Sequence, residues 1–240
     1  ANKPYLYSIR LSQSQMIPSM LGYLWEMNIR KLGVIYLGSP AGEIPLKNHL
    51  RPIWTQMGGT IVAEESHPFG ATDFSSHLSK IKAGGADAIY GISSGQEQAY
   101  FIKQARDAGI NIPITVTDWS DHYQSITGKS GENLYLPTEY FDPERSDPMT
   151  QRFVKDYQSK WKELPDFYAA NYYDAVYNIL AELIRRTVKS GGNPMNDEEL
   201  EKAVKTDLSF KTLYGEKLML NQDGTCRKPI AIMKITDGKK

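Results

Sequence analysis

The first half of this chain repeats one unit: an apolar run of four to six residues, a loop rich in Gly, Ser and Asp, then a stretch with helical periodicity. The runs fall at 32–37, 60–64, 86–91 and 113–117, with a further extended piece at 133–137. Apolar runs with little alternation predict strands buried on both faces, and their alternation with helices predicts a parallel sheet covered on both sides.

The helices between the runs carry start and stop signals. Asp73 reads as an N-cap ahead of Phe74, Leu78 and Ile81, with Gly84-Gly85 as the end. Ser94 and Glu97 have capping-box spacing for a helix with Phe101, Ile102 and Ala105 inside and Gly109 at its close. The segment 44–57 puts Leu46, Leu50, Ile53, Trp54 and Met57 on one face, and Pro52 within it predicts a bend, because a proline inside a helix costs about 3 kcal/mol.

The character changes at the linker 142–148, after which helices dominate. Phe153, Tyr157 and Trp161 share a face. After Pro165 and a cap at Asp166, the residues Tyr168, Tyr172, Ala175, Ile179 and Leu183 recur at helical spacing until Gly191-Gly192. A shorter helix is expected over 196–205, then strands at 216–220 and 230–235 joined through the turn-rich 221–224.

Composition removes several function classes. Lys plus Arg number 28 and Asp plus Glu number 28, with no basic cluster, so nucleic acid and anionic lipid are not expected partners. No apolar run reaches the roughly 18 residues of a membrane span. Cys226 is the only cysteine, so no intrachain disulfide can form and the compartment stays open. The chain begins at Ala1 without a leader, which reads as a processed chain or a fragment.

The sharpest enzyme-like motif is Gly91-Ile92-Ser93-Ser94-Gly95, a G-x-S-x-G between a predicted strand and a predicted helix, as a nucleophile elbow requires. Its only downstream histidine, His122, stands four residues after Asp118 in the same loop, a poor arrangement for a triad, and a plain strand-to-helix turn is the preferred reading. Gly128-Lys129-Ser130 lacks the earlier glycine of a phosphate loop, and the four histidines have no metal-pair spacing. What remains is the set of loops after the strands, 38–42, 92–96 and 117–121, where open α/β sheets bind ligands. They supply small hydroxyls, amides near helix starts and the acid Asp118.

The stretch Thr72-Asp73-Phe74-Ser75-Ser76-His77-Leu78-Ser79-Lys80-Ile81-Lys82-Ala83-Gly84-Gly85-Ala86-Asp87-Ala88-Ile89 resembles a signature of the type I periplasmic binding proteins, in the branch of branched-chain amino acid-binding and amide- or urea-binding components of ABC transporters. Gln104-Ala105-Arg106-Asp107-Ala108-Gly109, Tyr173-Asp174-Ala175-Val176 and Asp237-Gly238-Lys239 are similar too. The resemblance implies two lobes joined by three crossings. Residues 11–139 with 228–240 would be the second lobe, a three-layer parallel-sheet, Rossmann-like domain, and 1–10 with 140–227 would be crossings and helices of a first lobe lacking on the order of 100 residues at its front.

It further implies a non-enzymatic solute-binding protein, periplasmic or surface-exposed, which holds a small amino acid, amide or related polar metabolite between its lobes and presents it to an ABC permease. No cofactor and no metal are expected. The implied ligand residues are Ser39, Ala41, Ser93, Ser94, Asp118 and Trp119, with Asp118 matching the acid that meets a ligand ammonium. A Tyr-Gly pair that closes the site in relatives reads Ala41-Gly42 here, which implies a wider pocket. A ligand-sensing regulatory module on the same fold, and a serine hydrolase acting through Ser93, are the alternatives.

Overall fold

A computed structural model describes residues 5–119, 121–215 and 217–236. The chain forms two compact units, residues 12–138 with 230–240 and residues 1–11 with 139–229, and it passes between them at Leu11/Ser12, Thr138/Glu139 and Pro229/Ile230.

The first of these units is built on a six-stranded sheet. Its strands are β1 (Lys31–Leu37), β2 (Thr60–His67), β3 (Ala88–Ile92), β4 (Ile114–Thr115), β5 (Leu134–Glu139) and β9 (Ile230–Ile235), in the spatial order β2-β1-β3-β4-β5-β9. The pairings β1–β2, β1–β3, β3–β4 and β4–β5 are all parallel. Two apolar layers sandwich the sheet, because successive side chains of a strand point to opposite faces. Leu32, Val34, Ala88, Tyr90 and Ile92 pack against α1 (Gln13–Glu26) and α2 (residues 40–56), which contribute Ile17, Met20, Leu21, Leu24, Leu46, Leu50 and Trp54. Ile35, Ile89, Ile114, Leu134 and Ile235 pack on the other side against α3 (Ser75–Ala83) and α4 (Gln96–Asp107), through Leu78, Ile81, Phe101, Ile102 and Ala105. Glycines at Gly33 and Gly91 let those helices approach: a Cβ at Gly33 would stand 2.6 Å from Ile81, and one at Gly91 2.8 Å from Phe101. The architecture is the expected α/β class.

Local chemistry departs from the sequence reading at several points. The 40–56 helix runs past both Pro45 and Pro52 because its middle turn, Leu46–Leu50, is a π-turn in which the Arg51 N–H reaches back to the Leu46 carbonyl. The widened turn makes room for a ring that lacks an N–H. Ser94 and Glu97 do not form a capping box: Gly95 occupies the N-cap position with φ 72°, and the Glu97 carboxylate accepts the Gly70 N–H at 2.6 Å instead. Asp73 caps one position early, with its Oδ1 accepting from the Ser75 N–H and hydroxyl. Periodicity assigns no element to Gln13–Glu26 or Asp121–Thr127, and both are helices, the latter α5.

The second unit carries α6 (Pro148–Trp161), α7 (residues 167–189), α8 (Asp197–Thr206) and the antiparallel strands β6 (Ser209–Lys211), β7 (Lys217–Leu220) and β8 (Cys226–Arg227). Asp147, Asp166 and Asn196 cap the three helices by accepting backbone N–H groups. β7 pairs with β6 and β8, whereas β9 joins the other sheet, so the two strands expected on either side of the 221–224 turn are not partners. Phe153, Val154, Ala170, Leu213 and Tyr214 form the core.

Beneath them lies a buried polar cluster. Glu139 accepts the Leu11 N–H at 2.8 Å and the Asn171 amide at 2.8 Å, and pairs with Lys228 at 3.1 Å. Lys228 also donates to Asn171 Oδ1 and sits 4.1 Å from the Tyr214 ring centre. Burial alone would push the Glu139 carboxyl up, but Lys228, Asn171 and Leu11 together hold it below its usual range. Asp174 feels the same Lys228 only as the smallest of the influences that lower it. Burial pushes its carboxyl up to about 6, although it accepts the Leu213 N–H and the Asn178 amide.

Candidate functional site

The strand order β2-β1-β3-β4-β5 reverses its direction of growth between β1 and β3. In open α/β sheets the crevice beyond the carboxyl ends of two such strands binds ligands, because their outgoing loops turn to opposite faces. The sequence-predicted loops leave the sheet here: the one at 38–42 follows β1, that at 93–95 follows β3, and that at 116–119 follows β4. Register holds the strand ends side by side, with Tyr36 opposite Ile92 and Tyr90 opposite Thr115.

After β1, the Gly38 N–H donates to the His67 carbonyl at 2.8 Å, and Ser39 is extended with Pro40 opening the helix. Ser39 is half-buried and its carbonyl accepts the N–H groups of Gly42 and Glu43. Ala41 is exposed. Gly42 is packed so closely that a Cβ would lie 2.2 Å from the Leu37 carbonyl oxygen. The Ala41-Gly42 pair thus holds one residue that the backbone demands and one whose side chain is free to vary.

After β3, Ser93 and Ser94 part company. Ser93 is 3% exposed and its hydroxyl has no hydrogen-bond partner among the described residues, whereas Ser94 is exposed. An unpartnered buried hydroxyl costs on the order of 1–3 kcal/mol, so it marks a place where something else is due to bond. His122, the only histidine that could serve a Ser93 nucleophile, stands with its Nε2 3.1 Å from the Gln96 amide.

After β4, Asp118 is half-buried and held on both carboxylate oxygens, Oδ1 by the Gln98 amide at 3.1 Å and Oδ2 by the Tyr123 hydroxyl at 3.2 Å. Trp119 is 4% exposed and belongs to the apolar layer with Phe101 and Ile114, its ring 6.3 Å from that of Tyr123. The structure thus assembles Ser93 and Asp118 through Thr117, whose hydroxyl donates to the Ser93 carbonyl. Ser39, Ala41 and Ser94 lie on the neighbouring turns, and Trp119 backs the site from the core.

Gln98 and Tyr123 escaped the sequence reading, and Thr117 stands in the expected loop 117–121 without having been singled out. For Gln98 a signal existed: it sits three, four and seven residues before Phe101, Ile102 and Ala105, on the face that the apolar residues mark as buried. Among the described residues no group of His, Cys, Asp and Glu is placed to hold a metal ion. None of their helices is long and apolar enough to cross a membrane.

A parallel sheet with helices on both faces and a polar cluster at its switch point is shared by many open α/β folds, and the likeness to solved structures makes this one the type I periplasmic binding protein fold. The chain belongs to the periplasmic binding protein family, whose profile matches residues 1–240. Among solved structures it is similar to the leucine-binding protein LivK of Thermotoga maritima, with 21% identity, a TM-score of 0.84, and coverage of 96% of this chain and 65% of that one. The branched-chain amino acid-binding protein LivJ of Streptococcus pneumoniae, in complex with isoleucine, shares 23% identity with a TM-score of 0.81, over 98% of this chain and 65% of that one. A solute-binding protein of R. palustris in complex with benzoate shares 21% identity with a TM-score of 0.77, over 97% and 63%. The chain therefore spans less than two thirds of the length of these proteins.

Proposed function

We propose that this chain is a solute-binding component of an ABC importer, periplasmic or surface-exposed, which holds a small amino acid, amide or related polar metabolite and delivers it to a permease. Residues 12–138 with 230–240 would be its second lobe. The observation that carries this reading is the pairing of a buried, unpartnered Ser93 hydroxyl with a restrained Asp118 carboxylate at the switch point of the sheet. A hydroxyl and a fixed carboxylate suit a ligand that carries its own polar groups, and a carboxylate pre-oriented by two donors recognises an ammonium with little reorganisation. The family supports the class, and the leucine, isoleucine and benzoate of its relatives support a small ligand with a charged end. The exposed Ala41, where relatives are expected to carry an aromatic ring, favours a ligand wider than a single aliphatic side chain.

The test is calorimetric titration of wild type and Asp118→Ala with L-leucine, L-isoleucine and benzoate. Loss of a charge-assisted contact is expected to weaken an amino acid at least tenfold, while benzoate, which has no ammonium, changes little. An amino acid bound equally well by both proteins would remove Asp118 from the site.

A further inference from the structure

We propose that Gln98 is the positioning residue of this site: one buried amide fastens the loop after β3 to the loop after β4 and thereby sets the placement of Ser93 and Asp118. The proposal deepens the ligand-binding reading and rests on it. Gln98 is fully buried in the first turn of α4. Its Nε2 donates to the Asp118 carbonyl at 2.8 Å and to Asp118 Oδ1 at 3.1 Å, and its Oε1 accepts the Thr117 N–H at 3.0 Å, with the Thr117 hydroxyl oxygen 3.2 Å away. Both donors of the amide are used and its oxygen accepts a backbone N–H, so the group has a single orientation: turned over, it would set its NH2 against the Thr117 N–H and its oxygen against the carboxylate. Thr117 carries the connection onward, since its hydroxyl donates its one proton to the Ser93 carbonyl.

Packing does not ask for this residue. Its neighbours on the buried face of α4, Phe101, Ile102 and Ala105, are apolar, and a methionine of the same length would fill the space without burying an amide. What the amide supplies, and methionine cannot, is direction. It fixes one carboxylate oxygen of Asp118 while Tyr123 fixes the other, so the acid is held before any ligand arrives.

Two variants separate this role from filling space. Gln98→Met keeps the volume and removes every hydrogen bond. Gln98→Glu keeps the shape and an acceptor for Thr117, but donates to Asp118 only when protonated. Without any ligand, the Thr117 amide of Gln98→Met is expected to exchange with deuterium at least tenfold faster than in wild type, with the Ile89 amide, bonded to Pro113, unchanged. In titrations with L-leucine, L-isoleucine and benzoate, Gln98→Met should weaken the bound amino acid at least tenfold with a near-native melting temperature. Gln98→Glu should weaken it at pH 7.5 and recover towards wild type at pH 5.5, each compared with wild type at the same pH. Native Thr117 exchange together with native affinity in Gln98→Met would overturn the proposal, as would a Gln98→Glu defect independent of pH. Should the wild type bind none of the three compounds, the failure belongs to the ligand-class reading, and Thr117 exchange alone decides whether Gln98 holds the loops. If Gln98→Met does not fold, Thr117→Val replaces it, and native affinity there would count against the link to Ser93.

Discussion

At the scale of single residues, two buried carboxylates of the 139–229 unit show how surroundings set charge. Glu139 has Lys228 at 3.1 Å and stays ionised, so its contribution to stability is present at neutral pH and lost as acid protonates it. Asp174 runs the other way. Its folded value of about 6 lies above the ordinary 3.8, so below pH 4 both states hold the proton, while between pH 4 and 6 the unfolded chain gives it up first. Folding is therefore opposed increasingly over that window, by roughly 2–3 kcal/mol once both are ionised. Asp174→Asn is expected to melt at a temperature that rises relative to wild type between pH 4 and pH 7, by several degrees. Parallel melting scans at closely spaced pH values check this, and a difference that does not change with pH would refute it. The sequence shows Asp174 beside Tyr173 in a helical stretch, yet nothing local says that it is buried, because its surroundings include Leu213, thirty-nine residues away.

At the scale of elements, the turn after β1 shows how a loop can be constrained at one position and free at the next. Gly42 must lack a side chain, since a Cβ would be driven into a backbone oxygen that cannot move aside. Gly42→Ala is expected to cost about 1–3 kcal/mol in urea denaturation, the usual effect of overpacking, whereas Ala41→Ser, at an exposed position, should stay within about 0.5 kcal/mol. Equal stability of the two variants would mean that the turn can open. The same contrast explains which elements were legible. Strands β1 and β3 are continuous apolar runs and stood out, and α3 and α4 end at glycines with positive φ, Gly85 and Gly109, as read. Helix α1 carries Pro18 and Gly22 inside it, so it has no local signal strong enough to announce it, whereas β4, only two residues long, still lies within the apolar run at 113–117.

At the scale of the whole molecule, one helix leaves a large apolar stripe in solvent. Tyr172, Val176, Leu180, Ile184 and Val188 recur every four residues along α7 and are all exposed, with Tyr177 and, on α6, Trp161 nearby in the series. Patches of this kind are uncommon on folded monomers and bind apolar dyes. The folded protein is expected to enhance the fluorescence of the dye ANS, and Val176→Glu with Leu180→Glu should remove most of that signal while leaving the melting temperature within a few degrees. Retention of the full signal in the double variant would place the dye elsewhere. Periodicity puts Phe153, Tyr157 and Trp161 on one helical face and Tyr168, Tyr172, Ala175, Ile179 and Leu183 on another, and the fold buries Phe153, Ile179 and Leu183 while Trp161 and Tyr172 stay exposed.

The amino-acid sequence by itself determined the class of fold and the places along the chain of the six strands of the large sheet, because each of these follows from patterns a few residues long. Only the tertiary structure decided that β9 closes the large sheet rather than pairing with β7, that Ser93 is buried and Ser94 is not, and that Gln98 rather than a capping serine organises the turn. Those outcomes depend on groups about 20 or more residues apart meeting in space, Gln98 with Thr117 and Asp118 above all, and no local propensity encodes such a meeting.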